Sequence, residues 1–333
     1  MATWHIEASK GRGVILFKGR GNATNKTHLI ALFGIGLVGS AIALKIEDLL
    51  GMKAFHMSFD WETRFKQQKH LLSIVDLIVS FLKRAPDSRF DVIWSAGRSG
   101  FSASRKQTEL ESANFQTVLD LADLIAERFP RRIMQFHFIS SAGGLFEGQR
   151  HVNPGSQPKP MRPYGALKLE QEKRIRHISG LYRKHIYRPS TLYGRIGDGL
   201  RRGLISTLIL NGVRNRITTI TGNMATIRDF VATNDLSAFI VSKVVGLEGQ
   251  SSNIYMLVSS KPTTILEIKQ HIEDLINRKL YINNLLNPTN DLDNSFAPEV
   301  MPENWYPSSL KQNIRIIYQQ VLGKGVFLKS LFV

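Results

Sequence analysis

Cysteine is absent from the 333 residues. Its absence excludes disulfide scaffolds, thiolate zinc sites, iron–sulfur clusters and cysteine nucleophiles together. It suits a reducing compartment, and a cytoplasmic setting is expected. Acidic residues are scarce, 27 against 44 Lys and Arg, for a formal charge of +17. There is no collagen-like period, heptad run or short internal repeat. The opening residues lack the charged, then apolar, then small order of a cleavable leader. What remains is a chain with 43% apolar residues, enough for a core, and a length that suggests about two domains or one large α/β unit.

The positive charge is concentrated. Residues 150–220 carry fifteen Lys and Arg against three acids, and the first 27 carry five against one. Such a field attracts phosphates, nucleic acid or anionic membrane, unless it is only a solvated basic surface. The stretch to Thr27, with Lys10-Gly-Arg-Gly and Lys18-Gly-Arg-Gly, has no helical period. It is expected to be a basic extension holding one short strand around Val14–Phe17.

Residues 27–44, THLIALFGIGLVGSAIAL, form an uncharged run of eighteen. A membrane span needs about 20 such residues, and three glycines interrupt this one. Gly34, Gly36 and Gly39 stand as G-x-G-x-x-G between a strand-like run (His28–Phe33) and a helix-like run (Ser40–Leu50). That is a dinucleotide-binding turn: the first glycine makes the turn, the second admits the pyrophosphate and the third lets helix and strand pack. The helix that follows would present unpaired N–H groups and its positive dipole end to the phosphates.

Strands and helices then alternate. Lys53–Ser58, Asp91–Ser95, Met134–Ser140 and His185–Arg188 read as strands, and Gln68–Lys83, Glu109–Arg128 and Ala166–Leu181 as helices. The alternation predicts an α/β fold with a doubly wound parallel sheet. Beyond Thr191 the pattern is less regular and a smaller C-terminal lobe is expected. The reading divides the chain into an extension (1–27), a dinucleotide domain (28–190, with 217–258 returning to it) and a smaller substrate lobe (191–216 and 259–333).

An acid about 20 residues beyond the turn would bind the adenosine ribose of NAD. Asp60 stands 21 residues beyond Gly39, shortly after Ser58, and Arg64 is near enough for the 2′-phosphate of NADP. The choice between the two cofactors stays open. In Tyr164-Gly-Ala-Leu-Lys168 the i, i+4 spacing sets a phenol and an ammonium on one helix face. The ammonium favours phenolate, so the tyrosine could serve as general base or acid. Alone the pair is weak evidence, since a chain with eight tyrosines meets such a spacing by chance.

The order of glycine turn, strand-end serine (Ser140-Ser141) and Tyr164/Lys168 resembles the extended short-chain dehydrogenase/reductase superfamily, in its branch of NAD-dependent epimerases and dehydratases acting on nucleotide sugars. Further segments share the resemblance: Asp91–Gly97, Asn114, Pro163–Lys168 with Glu172, Tyr187-Arg-Pro-Ser-Thr-Leu-Tyr-Gly194, Thr226–Val231 with Asp235, and Pro302–Ile314. It implies a Rossmann-like sheet with a smaller C-terminal substrate lobe, and NAD or NADP held by Gly34, Gly36, Leu37, Val38, Gly39, Ser58, Asp60, Ala96, Gly97, Asn114, Tyr164, Lys168 and Pro189. It further implies Tyr164, Lys168 and Ser141 as the catalytic group, Ser141 and Arg228 toward a nucleotide-diphosphate sugar, and a homodimer through the Tyr164 helix. No metal is implied.

The chain departs from the family in three places. Phe33 stands where the family's usual T-G-x-x-G-x-x-G opens with a glycine, leaving the shorter three-glycine form. The Ser/Thr slot, counted back from Leu145-Phe146, falls on Ala142, so Ser141 is assigned with a one-residue shift. Ala-Gly-Gly stands where a dehydratase carries its acid pair, which favours an epimerase or reductase. Two other readings keep part of the picture: a catalytically impaired cofactor-binding scaffold using its basic face on RNA, and an N-terminal segment that anchors to anionic membrane.

Overall fold

The computed structural model describes residues 13–20, 27–97, 99–100, 103–197, 202–246, 253–285, 287 and 290–329. The first half alternates strand and helix. β1 (Val14–Arg20) and β2 (Thr27–Phe33) lead into α1 (Leu37–Leu50), β3 (Lys53–Met57), α2 (Arg64–Arg84) and β4 (Arg89–Trp94). Next come α3 (Arg105–Arg128), β5 (Met134–Ile139), the short α4 (Ala142–Leu145), α5 (Pro163–His177) and β6 (Tyr182–Pro189). The second half is more broken: β7 (Thr191–Tyr193), α6 (Leu204–Val213), β8 (Thr218–Thr221), β9 (Ile227–Arg228), β10 (Phe230–Ala232) and α7 (Thr233–Val245). It closes with β11 (Asn253–Leu257), β12 (Thr263–Thr264), α8 (Ile265–Ile276), β13 (Ile282–Leu285) and α9 (Leu310–Lys329).

One sheet dominates, in the order β11-β6-β5-β4-β2-β1-β3. β2, β4, β5 and β6 pair parallel, each joined to the next by a helical crossover. All six residues of β4 and of β5 are buried, as expected of strands covered on both faces. The uncharged run 27–44 is divided between β2 and α1, and no helix among the described residues is long and apolar enough to cross a membrane.

β1 is not an appendage. It lies between β2 and β3, antiparallel to both, with Val14 opposite Phe33 on one side and Met57 on the other. Val14, Ile15, Leu16 and Phe17 are all at most 3% exposed. The expected extension 1–27 therefore contains a central strand. Apolar side chains on both faces and main-chain partners on both edges draw it into the sheet. The short strand expected around Val14–Phe17 is present, and what its basic, glycine-rich flanks do not announce is its place inside the sheet.

Two compact units emerge. The first comprises the chain through Leu145, Pro160–Arg188 and Ser237–Tyr255. Its core joins Leu16, Leu29 and Phe33 to Phe115, Val118 and Ile125 of α3 and to Phe136 and Phe138 of β5. The second comprises Phe146–Lys159, Pro189–Leu236 and Met256–Val333. It is built around α6, with Ile205, Leu208 and Ile209 packed among Ile268 and Ile272 of α8 and Ile314 of α9. Of the segment 217–258 expected to rejoin the first unit, only Ser237–Tyr255 does so. β8, β9 and β10 pair with β13, β12 and β7, so their main-chain bonds tie residues 218–232 to the second unit.

The first unit carries a polar seam under its large sheet. Asp91 is fully buried and receives Arg89 through two bonds of 3.0 and 3.1 Å and His28 at 3.0 Å. Burial opposes its charge, but Arg89 and then His28 hold its carboxyl well below the usual range. His137 and His185 stack 4.8 Å apart beside it, and His185 reaches Gln135 at 2.7 Å.

Candidate active site

The turn after β2 is shaped by close contacts. Gly34 has a left-handed φ of 91°, and a Cβ there would lie 2.3 Å from the Ala96 Cα. A Cβ on Gly39 would lie 1.9 Å from the Gly34 carbonyl oxygen, so strand and helix meet at hydrogen-only distance. Ser95 clamps the turn, its Oγ donating to the Gly34 oxygen at 2.6 Å. Gly36, by contrast, has nothing within 4 Å and lies open at the N-cap of α1. No side chain caps that helix, and Leu37 and Val38 are half-buried at its start. Exposed first-turn amides at the positive end of a fourteen-residue helix suit a phosphate.

α5 places the second group. Pro163 at the first helical position presets the backbone, and Tyr164 and Lys168 follow one turn apart. The Lys168 Nζ lies 5.8 Å from the centre of the Tyr164 ring and 5.3 Å from that of Phe138. Lys168 is only 4% exposed. Burial works against its charge, but Glu111, then Tyr164 and Glu172, outweigh it and raise its pKa above the ordinary lysine value. The Glu111 Oε1 accepts from Nζ at 3.1 Å, and Gln171 accepts at 3.2 Å.

α4 brings the serine end of β5 to the same place. Ser141 is buried and its Oγ accepts from the Gly144 amide at 3.0 Å. Gly144 in turn faces the phenol: a Cβ there would lie 3.0 Å from the Tyr164 Cε1. A Cβ on Gly165 would lie 2.1 Å from the Gly144 oxygen, so glycines on both sides let α4 and α5 touch. Neighbouring Ser140 donates instead to Glu172 at 2.5 Å, and Glu172 holds Arg188 at 2.6 and 3.0 Å.

The sequence profile described as the NAD dependent epimerase/dehydratase family matches residues 32–254, from the glycine turn through α5 and beyond. The chain belongs to that family. No curated protein sequence matches it. Among solved structures it resembles the UDP-glucose 4-epimerase of Thermus thermophilus in complex with NAD (15% identity, TM-score 0.66), over 86% of this chain and 96% of that one. It also resembles the UDP-glucuronic acid 4-epimerase of Bacillus cereus in complex with UDP-glucuronic acid and NAD (16%, 0.65), over 87% and 97%. A third likeness is to RMD from Pseudomonas aeruginosa complexed with NADPH (17%, 0.57), over 70% and 82%.

Within this family frame, the fold brings Gly34, Gly39, Ala96 and Gly97 together, and separately Ser141, Tyr164 and Lys168. Other candidates are engaged elsewhere. Asp60 turns its carboxylate on the amides of Thr63 (2.6 Å) and Glu62 (2.9 Å), which lower its pKa, while Ser58 is exposed beyond β3. Asn114 is buried between the Gln67 side chain at 2.5 Å and the Trp61 carbonyl at 2.9 Å, and packs α3 against the loop before α2. Pro189 ends β6 and falls in the second unit. So does Arg228, whose guanidinium donates to the carbonyls of Asn290 (2.9 Å) and Leu292.

Glu111 escaped the sequence reading. The signal was present: positions 111, 115, 118, 122 and 125 form one helical stripe, and Glu111 is the single acid on that otherwise apolar line. The basic excess also contracts in the fold. Lys168 is buried, Lys184 donates to the carbonyls of Arg176 and Ile178, Arg188 is paired with Glu172, and Arg150 with Asp293.

Proposed function

We propose that this chain is an NAD(P)-dependent epimerase or reductase acting on a nucleotide-diphosphate sugar. The observation that carries the reading is a pair of features in one unit: a glycine turn opened at Gly36 and closed at Gly34 and Gly39, and a helix presenting Tyr164 beside a buried, charged Lys168.

The residues suited to the cofactor are Gly34, Gly36, Leu37, Val38 and Gly39 for its phosphates, the Ala96–Gly97 turn, and Lys168 for ribose hydroxyls. When bound, a nicotinamide accepts a hydride from a sugar carbon and can return it. Tyr164 takes the hydroxyl proton from the carbon that loses hydride and gives it back on return. Lys168 keeps a positive charge near the phenol and so favours its deprotonated form. Ser141, which precedes the short helix and accepts from the amide of the glycine beneath the phenol, hydrogen-bonds the substrate oxygen as it becomes a carbonyl. Arg228, held by main-chain carbonyls, is assigned the diphosphate. An epimerase returns the hydride to the opposite face, whereas a reductase stops after one transfer. A homodimer through α5 and α3 and a cytoplasmic setting belong to the same reading, and sedimentation tests the dimer.

The experiment is turnover of a panel of UDP- and other nucleotide sugars with NAD(H) or NADP(H), using wild type and Tyr164→Phe. Loss of about 10²–10⁴ in turnover for Tyr164→Phe is expected. Equal turnover by the two proteins would remove Tyr164 from the chemistry, and failure to bind either dinucleotide would end the reading.

A further inference from the structure

Lys168 has a partner that its role beside Tyr164 does not require. Glu111 is 6% exposed on the inner face of α3, and its two oxygens are both in use. One accepts from the Lys168 Nζ at 3.1 Å, and the other from the Ser99 amide at 3.1 Å. Gly97 leaves room for that carboxylate, since a Cβ there would lie 3.0 Å from Oε1. The carboxylate is therefore fixed at one end by the loop after β4 and directed at the ammonium on its other side. A buried pair of this kind is costly to desolvate, and removing one partner leaves the other charge uncompensated.

Among the described residues, Glu111 acts on Lys168 from α3, and Tyr164 and Glu172 from its own helix. Glu172 is already bound by Arg188 of β6 and by Ser140 at the end of β5. Gln171 adds an uncharged acceptor. Glu111 is thus the counter-charge that most directly sustains the ammonium, 5.8 Å from the centre of the phenol ring.

We propose that Glu111 is a positioning residue for the acid–base work of Tyr164: it fixes Lys168 and keeps its buried amine charged beside the phenol. The proposal rests on the reading of Tyr164 as the acid–base group. With the carboxylate neutralised, burial draws the Lys168 amine toward its uncharged form, and the phenol loses part of the positive neighbour that favours phenolate.

The test is a tyrosinate absorbance titration of the full chain without substrate, for wild type and Glu111→Gln, each compared with its Tyr164→Phe counterpart. Burial pushes Tyr182, Tyr187 and Tyr193 far above the ordinary phenol range, and the comparison with each Tyr164→Phe counterpart subtracts the other tyrosines, among them the exposed Tyr281 and Tyr306. In Glu111→Gln the titration lost with Tyr164→Phe should move up by about one pH unit. The pH profile of kcat/KM, where turnover is measurable, should move with it. Glu111→Asp keeps the charge but withdraws it by one methylene, and should shift the titration less, in the same direction. A titration unmoved in both folded variants overturns the proposal. So does a chain that cannot fold with either substitution, since Glu111 would then be structural. Because no substrate is involved, this result is read independently of whether Tyr164→Phe affects turnover.

Discussion

The amide of Gly34 donates to the carbonyl oxygen of Gly13 across 3.4 Å, so the residue before the N-terminal strand touches the first glycine of the dinucleotide turn. β1 runs antiparallel to β2, which brings its beginning to the carboxyl end of the parallel strands, where ligands of such sheets bind. A Cβ on Gly13 would lie 2.2 Å from the Met57 oxygen at the end of β3, so the contact is close on both sides.

The first consequence concerns stability. Leu16 is fully buried in the middle of β1, with strands on either side. Leu16→Ala should cost about 2–5 kcal/mol, read from urea unfolding at constant m-value. Removal of residues 1–20 should prevent folding of the first unit. A stable, cooperatively unfolding truncated chain would contradict the central placement of the strand.

The glycine turn separates packing from ligand binding. Gly34→Ala combines a left-handed φ with a Cβ 2.3 Å from the Ala96 Cα, and is expected to destabilise by roughly 2–4 kcal/mol. Gly36→Ala meets nothing within 4 Å at an extended backbone position, and should leave stability within about 0.5 kcal/mol of wild type. Its effect should appear instead as weaker dinucleotide affinity, followed by quenching of tryptophan fluorescence. Equal thermal stability of the two variants would refute this division.

The polar seam should make stability depend on pH. Burial, then His137, pushes the His185 pKa down to about 3 in the fold, against about 6.5 unfolded. Between those values the unfolded chain binds the proton and the folded chain does not, so stability falls as pH falls. The loss between pH 7 and pH 5 should be about 2 kcal/mol from this residue. Asp91, whose pKa is depressed, withdraws its contribution only below about pH 4, outside that interval. His185→Gln should flatten the profile between pH 7 and 5, measured by denaturant midpoints. An unchanged slope would assign the acid sensitivity to other groups.

Much of this arrangement is legible along the chain. The continuous apolar runs of β2, β4 and β5 and the helical stripe of α3 each declare a buried face within a few residues, because burial is written into side-chain period. Gly34 and Gly39 declare a turn because a Cβ at either would strike the backbone. The four apolar residues of β1 announce a short strand, but not its place between β2 and β3. Gly144 is ordinary in sequence, and only the approach of α4 to α5 gives it a phenol to face. Asp60, picked out by its spacing from the turn, and Asn114, picked out by resemblance, also meet local partners that the sequence does not announce: the amides of Glu62 and Thr63, and the Gln67 side chain.

Periodicity and composition alone settle that this is an α/β chain with a glycine turn near its start and a Tyr/Lys pair on a later helix. They do so because helix faces, buried strands and tight turns are decided by neighbours a few positions away. Strand order and ion pairing depend on segments far apart in the chain: Val14 lies between Phe33 and Met57, and Lys168 finds Glu111 across 57 positions. No local pattern carries the partner's identity. The closing of the sheet around β1 and the packing of α3 against α5 choose it, because a buried strand edge and a buried ammonium must each be satisfied by whatever the fold brings within reach.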